Sequence, residues 1–471
     1  MAMGKRARSR QQELFVDSRA LPESPGHPFY DKLNEVLATH EFDGFAEGLC
    51  SPYYAERMGR HSIPPGVYFR MLMVGYFEGL GSERGIAWRV ADSLTLRRFL
   101  GYELTDRTPD HSSLSRIRGR LPVEVHQDVF NWVGRVIAKE GLLKGKTVAV
   151  DSTTLEANAA LRSLVRRDTG EGYQEYLEGL AKASGIETPT RQDTAKLDKK
   201  RPRKGSNDDW QHPHDPDARI TKMKDRRTHM GYKSEHVVDL ETQAIVAINL
   251  CGGDEGDTDS LPWSLVQANW NLEAMAQDQE ARQHLTDRWL SEVVTDRGYH
   301  SNKIVKMLQR AEIRGYVCEP NRGRRKWGKD PEAQVAVYAN RRRIEGERSK
   351  ALQRLRAECA ERSMAHAYES GGMRRCHLRG LVNIYKRLSV HAAAFNLGLM
   401  MRKLTGHGTP RGLHGLLRAI LALYRALHGR VLRGANRLGL LRTTVGRSVA
   451  LLILAAIPAT RPARITFSTD C

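Results

Sequence analysis

The sequence predicts an α/β protein, with a mixed five-stranded sheet flanked by helices and an all-α segment before it. Three observations predict this. Apolar residues recur at helical spacing up to about residue 140. Short β-branched runs then take over. Two of those runs stop at an aspartate, Asp151 and Asp296.

In the first segment, residues 1–140, Pro64 and Pro65 open a stretch whose apolar residues fall at Val67, Met71, Val74 and Leu80, on one helical face. Ser82-Glu83 reads as a helix start, and Ile86, Val90 and Leu94 continue the pattern. Pro109 to Ser113 forms a turn and cap for a short helix carrying Arg116, Arg118 and Arg120. Val125, Val129, Trp132, Val133, Val136 and Ile137 make a further stripe.

Residues 141–404 read differently. Thr147-Val148-Ala149-Val150-Asp151 is a strand with a Gly turn before it. Residues of about 158–230 look like an insertion. Tyr173 to Leu180 is helical in pattern, but Lys199–Asn207 and His212–Asp217 are polar and punctuated by proline. The segment therefore predicts a mobile basic arm without a core of its own. His212 and His214 are possible metal ligands there, against the simpler reading of a solvated loop. Glu235–Asp239 and Ala244–Leu250 then predict a hairpin, with a helix from Asp259. Ser291–Asp296 is a fourth strand, Ser301 starts a helix, Arg314–Glu319 is a fifth strand, and residues 340–366 are helical and highly charged. Three antiparallel strands followed by two strands joined through helices give a mixed sheet with helices on both faces. This element order resembles the ribonuclease H-like fold. The tail, residues 405–471, has Leu- and Arg-rich helical runs such as Leu413–Leu427.

The chain has 471 residues, with 75 Lys+Arg against 55 Asp+Glu, for a net charge of +20. Such an excess repels itself and adds nothing to a fold, so a polyanionic partner is expected, double-stranded DNA before a membrane surface. The helix with Arg116, Arg118 and Arg120 is a candidate DNA contact, with a solvated basic face as the alternative. The six cysteines are scattered and form no C-x-x-C pair, so neither a zinc site nor a disulfide framework is expected. The basic start lacks the apolar run of a signal peptide, and Val449–Pro458 is too short to span a bilayer, so a cytoplasmic protein is expected.

Asp151 and Asp296 at strand ends would form a hard-oxygen site outside the sheet. Mg²⁺ or Mn²⁺ prefers such ligands and leaves room for phosphate oxygens. Cutting a phosphodiester requires a nucleophile to be activated and a leaving oxygen to be stabilised, which two ions can do together. Two aspartates are too few for two ions, so a third carboxylate from a neighbouring helix is expected. For either aspartate alone, a turn cap is the simpler role.

Val148–Thr153 resembles the first-aspartate motif of the DDE transposases of bacterial insertion sequences, and Val294–Ser301 resembles their second motif. Glu361-Arg362-Ser363-Met364-Ala365 is similar to the segment carrying their catalytic glutamate, with Met364 in place of the usual aromatic. Gly371–Arg375, His377–Gly380, Asn383, Lys386-Arg387, Asp217–Arg219, Lys222–Asp225 and Gly231–Lys233 also look like this family, as does the helical region from Pro64 to Arg120. The resemblance implies catalytic metal ligands at Asp151, Asp296 and Glu361, two Mg²⁺ or Mn²⁺ ions, cleavage at element ends, strand transfer into target DNA, and at least a dimer on DNA. Glu358 shares a helix face with Glu361 and is the alternative third ligand; Glu345 and Glu347 lie on the same charged stretch.

Basic clusters at Arg322–Lys329, Arg341–Arg343, Arg374-Arg375 and Lys199–Lys204 are candidate phosphate contacts. Within them Arg324, Arg325, Lys326, Arg374 and Arg375 are singled out, together with Arg379 and Lys386 downstream. Trp327 would stack on an unpaired base. Tyr299 would position a strand end or pack in the core. Two other readings remain open at this stage: a nuclease or resolvase of the same fold without strand transfer, and a catalytically inactive DNA-binding protein of transposase descent.

Overall fold

The described residues up to 140 form the helices that their caps and stripes predict, with one break in a stripe. The computed structural model describes residues 26–412, apart from Glu56, Met58, Arg60, residues 202–204, Lys224, Arg322, Arg324, Lys326 and Lys329. The Leu-rich run Leu413–Leu427 and the rest of the tail lie outside the described residues.

Among the described residues seven α-helices come first: α1 (Pro28–Thr39), α2 (Phe42–Cys50), α3 (Pro65–Glu78), α4 (Glu83–Ala91), α5 (Leu94–Phe99), α6 (His111–Arg120) and α7 (Val123–Lys139). Pro65 opens α3, and Gly79 closes it in the left-handed region that glycine tolerates. Ser82 caps α4 by accepting the Gly85 N–H. The stripe expected to run on through Leu94 is broken at Asp92-Ser93, because the Ser93 side chain caps a new helix, α5.

The sheet region contains β1 (Thr147–Glu156), β2 (Val165–Arg166), α8 (Tyr173–Ala183), α9 (Arg191–Lys200), β3 (Trp210–Gln211), β4 (Arg219–Lys222), β5 (Thr228–Asp239) and β6 (Ile245–Gly252). Then come α10 (Asp257–Ala276), α11 (Gln279–His284), β7 (Glu292–Thr295), α12 (Asn302–Arg310), β8 (Arg314–Val317), α13 (Pro331–Ile344), α14 (Glu347–Met364), a π turn (Ala365–Ser370) and α15 (Leu381–Thr405). The main sheet has six strands where five were expected. Five run in the order β6-β5-β1-β7-β8, antiparallel from β6 to β1 and parallel from β1 to β8. The sixth, β4, extends the sheet beside the first half of β5. Helices cover both faces: α10 packs on the side of Glu235 and Lys233, and α14 on the side of His236 and Ser234.

The insertion departs most from expectation. It is built around Trp210, which is 1% exposed. Tyr173 and Tyr176 pack on the Trp210 ring, and the guanidinium groups of Arg166 and Arg201 lie over these aromatics. Cation–π stacking on a single buried tryptophan gives this polar stretch the core that its composition conceals. His212 is buried and accepts the His214 N–H through Nδ1. The charged stretch of residues 340–366 is two helices, α13 and α14, parted at Glu345-Gly346.

One hydrophobic core runs from Phe29 to Met401 through helical layer and sheet alike. Helix α15 joins the two. Its Asn396 side chain pairs with both backbone groups of Ile245 at the start of β6, while Tyr385 donates to Gln127 on α7. Among the described residues no helix is long and apolar enough to cross a membrane.

Candidate active site

Strand β1 pairs with β7 only from Thr147 to Ala149, whereas its pairing with β5 continues to Glu156. Asp151 therefore sits mid-strand rather than at the expected strand end. On its β7 side, however, it stands just where the two strands part. Asp296 is the first residue after β7. The two aspartates thus meet at the mouth of one crevice, 22% of the Asp151 side chain being exposed.

Every oxygen of Asp151 has a partner. Oδ1 accepts the Ser152 N–H at 2.8 Å, and Oδ2 accepts Arg356 Nη1 at 2.6 Å. Burial pushes the Asp151 carboxyl above its ordinary range; the Arg356 guanidinium and the Ser152 N–H pull it back, and the neighbouring Asp296 charge adds to the rise. Asp296 Oδ1 accepts the Gly298 N–H at 2.9 Å.

Further residues belong to this crevice. Asp257, at the start of α10, accepts Ser152 Oγ at 3.0 Å and Lys233 Nζ at 2.7 Å through Oδ1. A Cβ on Gly298 would collide with the Asp257 carboxylate and come within 3.2 Å of Asp296 Oδ1, so the crevice closes tightly on the bare glycine. Beneath it, Glu235 is fully buried and accepts Ser260 Oγ at 2.9 Å, Tyr299 OH at 2.7 Å and the Ser264 hydroxyl. Tyr299 is a buried pillar of this floor. The Gly231–Lys233 segment supplied Lys233. In sequence, Asp257 reads as an ordinary helix-start acid and Arg356 as one arginine among many on α14, so neither carried a signal.

The third predicted ligand stands apart in this structure. Glu361 is exposed on α14, and its side chain makes no hydrogen bond or ion pair among the described residues. At 100° per residue it lies about 140° around the helix from Arg356, which faces Asp151. Glu358 points to the far side and pairs with Arg362, which in turn bonds Gln243 in the β5–β6 turn. Among the described residues no three His, Cys, Asp or Glu side chains are grouped as a metal cage.

Two family matches bear on this geometry. Residues 18–120 match the family described as "Transposase domain (DUF772)", and residues 315–401 match the "Transposase DDE domain". Both matched segments are thus similar to transposase domains, the second to the DDE type. No curated protein and no solved structure matches it.

The predicted basic contacts fall into two groups. Arg374, Arg375 and Arg379 line the outer half of β1, beyond Asp151. Arg374 reaches Thr153 Oγ1 and Thr154 O and pairs with Glu369; Arg375 lies 3.6 Å from Glu156; Arg379 donates to Asn158 O. The other group is tied into the fold. Arg325 bonds Asn302 and Glu319, and Trp327 packs on Val305, Ala336 and Val337. Lys386 requires correction: it is 6% exposed, and its Nζ donates to the carbonyls of Arg118 and Leu121 at 2.9 and 2.6 Å. It is a clamp on the end of α6, because a buried ammonium must find acceptors. Likewise Arg118 pairs with Glu83 and bonds Asn383, leaving Arg116 and Arg120 as the outward arginines of α6. Arg324 and Lys326 lie outside the described residues.

Proposed function

We propose that this transposase cuts DNA at element ends and joins the freed 3′ end to target DNA at the crevice between Asp151 and Asp296. The observation that carries the reading is the meeting of these two carboxylates where β1 and β7 part. The strand order supports a ribonuclease H-like catalytic domain over residues 141–404, with residues 1–140 as a DNA-binding helical layer and 405–471 as a basic tail.

The donor set suits a hard cation: the groups are carboxylate oxygens, their mutual repulsion is only partly offset, and the crevice is open to solvent on one side. Asp151 and Asp296 would hold Mg²⁺ or Mn²⁺, two ions in all. Glu361 would be the third ligand by its motif, which requires α14 to turn about its axis toward the crevice. A divalent metal bound there supplies activation of the attacking hydroxyl and stabilisation of the leaving oxygen. The chain's own groups do the rest. Lys233 and Ser152 fix Asp257 against the crevice wall, and the Gly298 N–H orients Asp296. Arg374, Arg375 and Arg379 would guide the phosphate backbone along β1. Two ends must be held together for joining, so at least a dimer acts on DNA, in the cytoplasm.

The test is Asp296→Asn with an element-end duplex in Mg²⁺. Binding should persist while strand cleavage is lost; near-normal cleavage would remove Asp296 from the site. A pre-cut end incubated with target DNA then separates a transposase from a plain nuclease, which gives no joined product.

A further inference from the structure

We infer that Arg356 is a built-in counter-ion that competes with the divalent cation for Asp151, so that its side chain must leave Asp151 Oδ2 before that oxygen can ligate an ion. This rests on the metal-dependent reading of the crevice above. The motifs do not include Arg356, and no role follows for it from the chemistry already described.

The contact is built, not incidental. Arg356 Nη1 stands 2.6 Å from Asp151 Oδ2, and only 15% of its side chain is exposed. Its Nε donates to Gln353 Oε1 at 3.1 Å, one turn earlier on α14. Gln353 is itself pinned, donating to Thr295 O at 3.1 Å and Tyr316 O at 2.9 Å, the last carbonyls of β7 and the middle of β8. A chain of hydrogen bonds therefore runs from the residue before Asp296, through Gln353 and Arg356, to Asp151. The other Asp151 oxygen is engaged by the Ser152 N–H.

Magnesium binds carboxylate oxygen at about 2.0–2.1 Å and demands near-octahedral geometry. A guanidinium held against the same oxygen blocks that approach and adds a like charge beside the ion. The carboxylate paired with Arg356 is Asp151 from β1, whose other charged neighbour is Asp296 after β7, while Arg297 and Arg356 both act on the nearby Cys318 thiol. From its own helix the near neighbour is the neutral Gln353. The Arg356 guanidinium on Asp151 leaves the crevice partly neutralised before any metal arrives. Once displaced, the guanidinium lies at the crevice mouth, where a DNA phosphate would bind. Metal loading and DNA loading would then favour each other, since both draw on the release of one side chain.

The experiment measures Mn²⁺ binding to the full chain without DNA, by the electron paramagnetic resonance signal of the free ion. Arg356→Met is expected to bind Mn²⁺ about tenfold more tightly than the unaltered protein, within the usual span of coupling between two ligands of one site. Arg356→Lys, which keeps the charge, should stay near the unaltered affinity. Adding millimolar guanidinium to Arg356→Met should weaken its Mn²⁺ binding more than the same concentration of sodium chloride does. Equal or weaker Mn²⁺ binding by folded Arg356→Met overturns the inference. Should that variant not fold, Arg356→Gln takes its place, and equal or weaker Mn²⁺ binding by it overturns the inference. Asp151→Asn separates the two readings: Mn²⁺ binding insensitive to Asp151→Asn, in every Arg356 background, sinks the metal site itself.

Discussion

A lysine and an arginine that look alike in sequence do opposite work here, and their surroundings decide it. Lys386 is buried against two backbone carbonyls, and burial lowers its ammonium pKa. Arg379 is exposed beside the end of β1, with one long bond to Asn158 O. Lys386→Met should therefore destabilise the fold by about 1–3 kcal/mol, since it leaves the carbonyls of Arg118 and Leu121 without their donor. It should not alter the slope of DNA affinity against salt. Arg379→Ala should do the reverse, with urea midpoint unchanged and the salt slope reduced by about 1, the signature of one lost phosphate contact. Urea melts and DNA titrations between 50 and 200 mM salt, a range in which such losses are large, read both. A reduced salt slope for Lys386→Met would return that lysine to the DNA surface.

At the scale of elements, two buried histidines pin helices in place and make the fold sensitive to acid. His126 on α7 has its Nδ1 against Pro122 O and its Nε2 against Tyr68 OH, so Nδ1 carries the proton and Nε2 accepts. His236 on β5 lies between Ser363 Oγ and Tyr368 OH, tying α14 and the π turn to the sheet. Burial holds each ring down to about 3. Both pKa values are thus depressed below the unfolded value near 6.5. The unfolded chain binds protons that the native chain refuses, so their stabilisation is full above about pH 6.5 and is lost as pH falls toward 3, by about 1.4 kcal/mol per pH unit for each histidine. Unfolding free energies measured from pH 7 to 4 should show a shallower dependence in His126→Gln by up to one such proton; an unchanged slope would mean that His126 is protonated in the native state. The elements that hold these histidines were mostly legible. Caps at Ser82, Asp110 and Ser301 and β-branched runs at 147–150 and 291–295 are local signals, and they put Asp151 and Asp296 on the sheet. What could not be read depends on distant partners. The second half of β1, Ser152 to Glu156, is polar and becomes strand only through β5. The insertion becomes a packed unit only through Trp210. Asp257 enters the site only because Gly298, far along the chain, leaves room for it.

Over the whole molecule, the sequence suggests a helical domain followed by a catalytic one, yet the last described helix completes the first. Helix α15 is buried along most of its length. Arg387 donates to Leu80 O, Lys386 to the end of α6, and Tyr385 to Gln127, while Asn383 takes Arg118. The same helix then fastens to β6 through Asn396. Helices α3 and α7 thus bury their apolar stripes against residues that follow them by more than 200 positions in the chain. A long loop costs little extra closure entropy once the rest is folded, so this arrangement is stable when the chain is whole. It leaves the first segment incomplete when alone. Residues 26–140 expressed by themselves should lack a cooperative thermal transition and should bind a dye for exposed apolar surface, because Met71, Val74, Val129 and Val133 lose their cover. Joining residues 381–405 to that fragment through a flexible linker should restore a cooperative transition. A sharp transition in the bare fragment, measured by calorimetry, would make the helical layer an independent domain and reduce α15 to an accessory of the sheet. The expected outcome also bears on the crevice: since α14 leads through the π turn toward α15, any rotation of α14 that carries Glu361 toward Asp151 must pull against the helix that holds the two layers together.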